Sequence, residues 1–175
     1  MVGDVLPWLE YRWSFDFPVG MFRAVCARLR GTPARLEELL HDAPASITVR
    51  PAGGGWSAQE NAGHLIQVER LWHTRLAEYL AGATALTAAD MENRSTKSAD
   101  HNLRPLAELL AAFRAVRAET MRRLDPLTLD DAARVAHHPR LDRPMRLVDM
   151  CFFAAQHDDH HLAAIAARLA GLRRA

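Results

Sequence analysis

Apolar residues recur at intervals of three and four along most of this chain, and strict alternation of apolar and polar positions is nearly absent. Four amphipathic helices follow from that pattern. The first is expected from about Pro18 to His41, with Phe22, Val25, Cys26 and Leu29 on one face, continued by Leu36, Leu39 and Leu40. Gly31-Thr32-Pro33 interrupts it. Either Thr32 caps a new helix with Pro33 in its first turn, or Pro33 kinks one long helix. The second helix starts at Ser57-Ala58-Gln59-Glu60, a capping box in which the serine hydroxyl accepts an orphan amide and the glutamate reaches back. Trp56 precedes the cap and is expected to pack on the first turn. This helix carries His64, Leu65, Val68, Leu71 and Trp72 and ends near Leu80, with Gly82 beyond it. The third spans about Arg104 to Leu124, with Leu106, Leu109, Leu110, Phe113, Val116, Thr120 and Met121 as its buried stripe. The fourth opens at Pro144, runs to Leu169 and is closed by Gly171.

The connections are polar. Gly53-Gly54-Gly55 lacks the Gly-Lys-Ser/Thr ending and the preceding strand of a phosphate loop, so it reads as a flexible turn. Only Ser46 to Arg50 looks briefly extended. The segment from Gly82 to Asn102 has no periodicity, which predicts a functional lid or a disordered loop. The 175 residues fit one all-α domain, a four-helix bundle over 1–175.

Composition narrows the function. The chain carries 22 basic and 21 acidic side chains, a net charge of +1, and its arginines are spread along helices. No field of that kind draws in nucleic acid or an anionic membrane. Cys26 and Cys151 both lie in apolar helical patterns, as small core side chains do, so no disulfide framework is expected and a reducing, cytoplasmic setting follows. The start, MVGDVLPWLEYRW, has no basic stretch followed by an apolar one, and no apolar run approaches the roughly 20 residues of a membrane span.

Nine histidines are an unusual number, and their placement is informative. Gln156-His157-Asp158-Asp159-His160-His161 offers two pairings that share a helical face, His157 with His160 and His157 with His161. The apolar band of Leu147, Cys151, Ala154, Ile165, Leu169 and Leu172 contains His161 and has His157 on its edge, while His160 falls toward the rim. Two imidazoles make a poor site, and His64, on the stripe of the second helix, is the natural third. Left unpaired, each would cost about 1–3 kcal/mol on burial; a shared divalent metal removes that cost. Three neutral imidazoles suit zinc and leave coordination positions open, the pattern of a catalytic rather than a structural site. His73, His101, His137 and His138 read as surface or loop residues. Asp158 and Asp159 read as carboxylates that orient the imidazoles, or as solvated groups or partners of Arg168.

The pattern Trp56-Ser57-x-x-Glu60-x-x-x-His64-Leu65, followed by His157-Asp158-Asp159-His160-His161, resembles the DinB-like (DinB/YfiT-like) superfamily of metal-dependent enzymes. The stretch from Leu29 to Leu36 is similar to that family's first helix, and the resemblance runs from about Phe15 to Leu172. It implies an up-down-down-up four-helix bundle, a homodimer, and a metal held by one histidine of the second helix and two, four apart, from the last. Those positions are His64, His157 and His161. Relatives include transferases that use low-molecular-weight thiols such as bacillithiol, and a mycothiol-dependent isomerase. The resemblance therefore implies a metal-dependent transferase joining such a thiol to a small electrophile, with the segment from Met91 to Asn102 as lid or cofactor contact. Zinc is the preferred metal and nickel an acquired substitute. Two rival readings are a hydrolase with a metal-activated water, with Asp158 or Glu60 as base, and a stress-response protein that binds metal without catalysis.

Overall fold

The computed structural model describes residues 5–172. Its helices are α1 (Phe22–Leu40), α2 (Ala58–Leu80), α3 (Arg94–Lys97), α4 (Leu106–Leu124), α5 (Leu129–Ala132) and α6 (Leu147–Leu172), and its strands are β1 (Val135–His138) and β2 (Arg143–Arg146). The long helices α1, α2, α4 and α6 form the bundle. Both α1 and α2 pack on α4 and α6, which puts α1 diagonal to α2 and α4 diagonal to α6.

Two apolar clusters fix the directions. One joins Leu36 and Leu40 at the end of α1 to Ala58, Ala62 and Leu65 at the start of α2, Phe113 in the first half of α4, and Ile165 and Leu169 near the end of α6. The other joins Phe22 to Leu29 of α1, Trp72 to Tyr79 of α2, Met121 and Leu124 of α4, and Leu147 to Ala155 of α6. Hence α1 runs up, α2 and α4 run down, and α6 runs up. Each fully buried Leu or Phe in these clusters contributes roughly 1.5–3 kcal/mol by leaving water. Because α2 and α4 are parallel neighbours, the chain between them must climb the length of the bundle, which is why the connection after α2 is long.

Pro33 neither breaks nor restarts the first helix: α1 is continuous through it. A proline in a helix interior frees the carbonyl four residues back. Here that carbonyl, Leu29 O, accepts a bond from Arg117 Nη1 at 2.9 Å. The guanidinium is buried and also pairs with Glu69 of α2 and Asp158 of α6, and the Asp158 carboxylate accepts from Thr32 Oγ1 at 2.8 Å. One node therefore ties all four bundle helices together at their centre.

Other expectations are corrected. Ser46 to Arg50 is not extended: Ala45–Thr48 forms a 3-10 turn. The last helix begins at Leu147, because Pro144 lies in β2, paired antiparallel with β1 opposite His137. The proline is tolerated since His137 turns its own backbone away, bonding Thr84 O and Leu86 N. The segment 82–102 is neither structureless nor disordered. It joins the hairpin through that bridge, then forms α3 and a 3-10 turn at His101–Leu103, with Asn93 and Asp100 in the left-handed conformation that starts each. Cys26 and Cys151 are free and buried, and burial pushes the Cys26 thiol up to about 11. Among the described residues no helix is long and apolar enough to cross a membrane.

Candidate metal centre

The capping box at the start of α2 forms as the sequence predicts: Glu60 N donates to Ser57 Oγ at 3.0 Å and Ser57 N to Glu60 Oε2 at 2.9 Å. With the helix start fixed, the next turn places Asn61 and His64 on the side facing α6. One turn of α6 presents His157 and His161 on the opposing side. The three rings are buried, and one ligand atom from each lies within 4.8 Å of the others. His157 Nε2 is 3.4 Å from His64 Nε2 and 3.3 Å from His161 Nε2.

These separations can be tested against a metal. Two nitrogens bound tetrahedrally at about 2.0–2.1 Å lie about 3.3–3.4 Å apart. The two pairs that share His157 meet that requirement and the third lies within 4.8 Å, so the residues fit a divalent metal ion.

The outer nitrogens also fit. Asn61 Nδ2 donates to Ser57 O at 2.8 Å, which fixes the amide so that its Oδ1 faces His161 Nδ1 at 2.9 Å. An amide oxygen only accepts, so His161 carries its proton on Nδ1 and leaves Nε2 bare. His64 Nδ1 lies 2.8 Å from Thr96 Oγ1, a hydroxyl that can accept in the same way. His157 Nδ1 is buried with no partner among the described residues. Burial pulls the His64 pKa down to about 4, with smaller contributions from His101 and His160. It holds His157 and His161 well below the ordinary histidine value, and nearby imidazoles add to the effect. Three desolvated imidazoles held neutral, with one ring nitrogen of each within 4.8 Å of the others, are groups that could hold a divalent ion.

The cluster sits in the groove between α2 and α6, to one side of the bundle axis, which the Arg117 node occupies. It opens into a cavity of about 610 Å³, inside the usual size range for a small-molecule site. Trp56 forms one wall, 4.7 Å from the His64 ring and stacked on His161 at 5.9 Å. It therefore covers the histidines rather than the first turn alone. An aromatic arm before α1 forms another wall, with Trp8 edge-on to His157 at 5.0 Å and packed on Phe153 and Trp13. Met91, Asn93 and Ser95 line the third side. From the segment expected as a lid, α3 also brings Thr96 against His64.

Several residues expected elsewhere belong here or in the core. His160 is not one of these: it lies at the rim as expected, half-buried against Trp8 and Tyr11. His101 and His138 are buried rather than on the surface. The His101 ring packs on Gly63, where a Cβ would lie 2.3 Å from the ring, so only glycine lets this turn approach α2 beside His64. His73 is half-buried and contacts Thr120 Oγ1 at 2.8 Å. Asp158 does not orient an imidazole, nor does it pair with Arg168: Arg117 and Thr32 hold it. Asp159 pairs with Arg28 and Arg35. Glu60 is bound by Arg50 and by the cap. The aromatic arm and the buried arginines left no periodic trace in the sequence, since each acts through contacts distant along the chain.

A bundle in this order with three histidines shared between its second and last long helices defines a class of small helical protein. The family model of the DinB superfamily matches residues 28–165, and the chain belongs to that superfamily. Among solved structures it is similar to YfiT from Bacillus subtilis, described as a probable metal-dependent hydrolase with an unusual four-helix bundle topology. The two share 21% identity and superpose with a TM-score of 0.77 over 94% of this chain and 93% of the other. No curated protein matches the chain.

Proposed function

We propose that this protein is a metal-dependent enzyme in which the Nε2 atoms of His64, His157 and His161 hold one divalent ion, zinc being preferred, and a small molecule binds in the adjoining cavity. The observation that carries this is the convergence of three buried imidazoles, with His157 Nε2 3.4 Å from His64 Nε2 and 3.3 Å from His161 Nε2. When bound, the ion supplies positive charge that acidifies a thiol or a water on its open side. The chain's own residues do the rest. Asn61 and Thr96 hold the imidazole tautomers, and Trp8, Trp56 and Trp72 exclude water.

The preferred reaction is transfer of a low-molecular-weight thiol to an electrophile. In support, the carboxylates near the site are engaged among the described residues. Asp90, the one acid lining the cavity among them, accepts from the backbone amides of Glu92 and Arg94. Glu60 and Asp158 are held by arginines. Thiol transfer needs no base beyond the ion, because the thiolate is the nucleophile. Hydrolysis is the second reading, favoured by the description of the Bacillus protein.

The test is to incubate metal-loaded protein with bacillithiol and other small thiols plus monochlorobimane, alongside a panel of esters and amides, and to compare the His64→Ala variant. About one metal per chain and thiol-dependent turnover lost in the variant are expected. Ester or amide turnover without thiol dependence would select hydrolysis, and neither activity would overturn the catalytic reading.

A further inference from the structure

Two arginines of this bundle are buried, with opposite surroundings. Arg117 meets two carboxylates. Burial alone would lower its pKa, but Asp158 and Glu69 outweigh it and raise it. Arg75 on α2 is just 1% exposed and meets none among the described residues. Its Nε donates to Thr87 O at 3.0 Å and its Nη1 faces His138 Nε2 at 3.1 Å, while its Nη2 is buried without a partner. Arg140, at the start of the turn between the two strands, also has a buried Nη2 without a partner among the described residues. Its guanidinium lies over Trp8 and Phe153, at 5.6 and 5.2 Å from the ring centres.

Both arginines line the cavity that holds the three histidines. Donors outnumber acceptors around them. The His138 ring faces Arg75 on one side and the Leu141 amide, 3.2 Å from Nδ1, on the other, and a neutral imidazole accepts at only one nitrogen. Desolvation pulls the Arg75 pKa down to about 10, against smaller opposing contributions from Tyr79 and Glu78 and with a smaller push from Arg140, as happens to a buried cation with no carboxylate in contact. Among the described residues the lining holds four arginines, Arg70, Arg75, Arg140 and Arg168, against the single acid Asp90. A buried charge without its partner is costly, and a bound anion would remove that cost.

We infer that the cavity binds a small-molecule carboxylate, whose two oxygens take the unpartnered Nη2 donors of Arg75 and Arg140. Two donors from two guanidinium groups match the two oxygens of one carboxylate. Trp8 joins this subsite to the metal centre, since Arg140 lies over it and its edge meets His157. The carboxylate therefore anchors one end of a substrate whose reacting end points to the histidines. This specifies the substrate class within the proposed function and rests on that reading for its catalytic meaning.

Binding tests it directly, because Trp8 and Trp72 each lie under one of the two guanidinium groups and report occupancy by fluorescence. The full-length protein is titrated with phenylacetate, benzoate and 3-phenylpropionate, and with phenylacetamide as neutral counterpart. At least one acid should bind saturably in the millimolar range or tighter, and phenylacetamide about tenfold or more weakly than phenylacetate. Arg140→Ala should remove that preference, whereas Arg114→Ala, an exposed arginine paired with Glu37, should keep it. Arg75→Met should act like Arg140→Ala; if it fails to fold, Arg140→Ala and the acid–amide pair decide. Equal affinity for acid and amide, unchanged affinity in Arg140→Ala, or no saturable binding of any acid would overturn the inference. The readout is independent of turnover. Acid-selective binding without thiol transfer or hydrolysis would sink only the catalytic reading, and turnover without acid selectivity only this one.

Discussion

The Arg117 node allows a stability prediction with a worked magnitude. Arg117→Met removes the guanidinium but keeps most of its volume. Glu69 and Asp158, whose side chains are fully buried, then lose their counter-charge, and Leu29 O loses the donor that replaces the missing Pro33 amide. Breaking a buried pair by removing one partner costs about 3–5 kcal/mol, and an orphaned buried carbonyl adds about 1–3 kcal/mol. Protonation of a stranded carboxylate limits the total, so a loss of roughly 4–6 kcal/mol is expected. That is a large part of the roughly 5–15 kcal/mol that holds a domain of this kind together. Urea unfolding followed by circular dichroism measures it, with Arg122→Ala as the comparison. Arg122 forms an exposed pair with Glu119 and should cost less than about 1 kcal/mol. Replacing Arg117, Glu69 and Asp158 together by apolar residues of similar volume should recover most of the loss. A single-variant loss under about 1 kcal/mol would refute the buried-charge reasoning.

Two further outcomes follow from the histidine cluster. Asn61→Ala removes the acceptor that holds the His161 proton on Nδ1, so metal affinity should fall about 10–100-fold in competition with a chelating dye; an unchanged affinity would show that Asn61 does not set the tautomer. Metal-free protein should weaken in mild acid. With His64 held down to about 4, the unfolded chain binds a proton below about 6.5 that the fold refuses, so this stability is complete above that value and lost as pH falls through the window to 4. The His64 contribution is on the order of 3 kcal/mol. A urea midpoint that falls no more steeply with pH in the wild type than in His64→Gln would count against it.

What could be read from the sequence was local. The capping box fixed the start of α2, and the stripe of α6 turned both His157 and His161 inward because those signals act within one or two helical turns. Pro33 could not be resolved, since the Leu29 carbonyl it frees is filled by Arg117, 88 residues from Leu29. The hairpin was misread because Pro144 is a good first residue for a helix as well as a residue tolerated where a strand has no bond to make. His101 and His138 looked like loop residues because they pack against Gly63 and Arg75, both on α2 and distant along the chain.

His157 and Asp158 are adjacent in sequence and serve opposite environments. One step of about 100° along α6 sends the imidazole to the groove and the carboxylate to the axis. The carboxylate is held there by Arg117 and Thr32, from two different helices, which fixes the rotation of α6 about its own axis. That rotation in turn sets where His157 and His161 point, one turn apart on the same face. The ion node therefore gives α6 a registry that apolar packing, which tolerates small rotations, would not impose. On this view the buried charge pair is retained for the placement of two imidazoles, and the unpaired charge of Arg75 for what those imidazoles act upon.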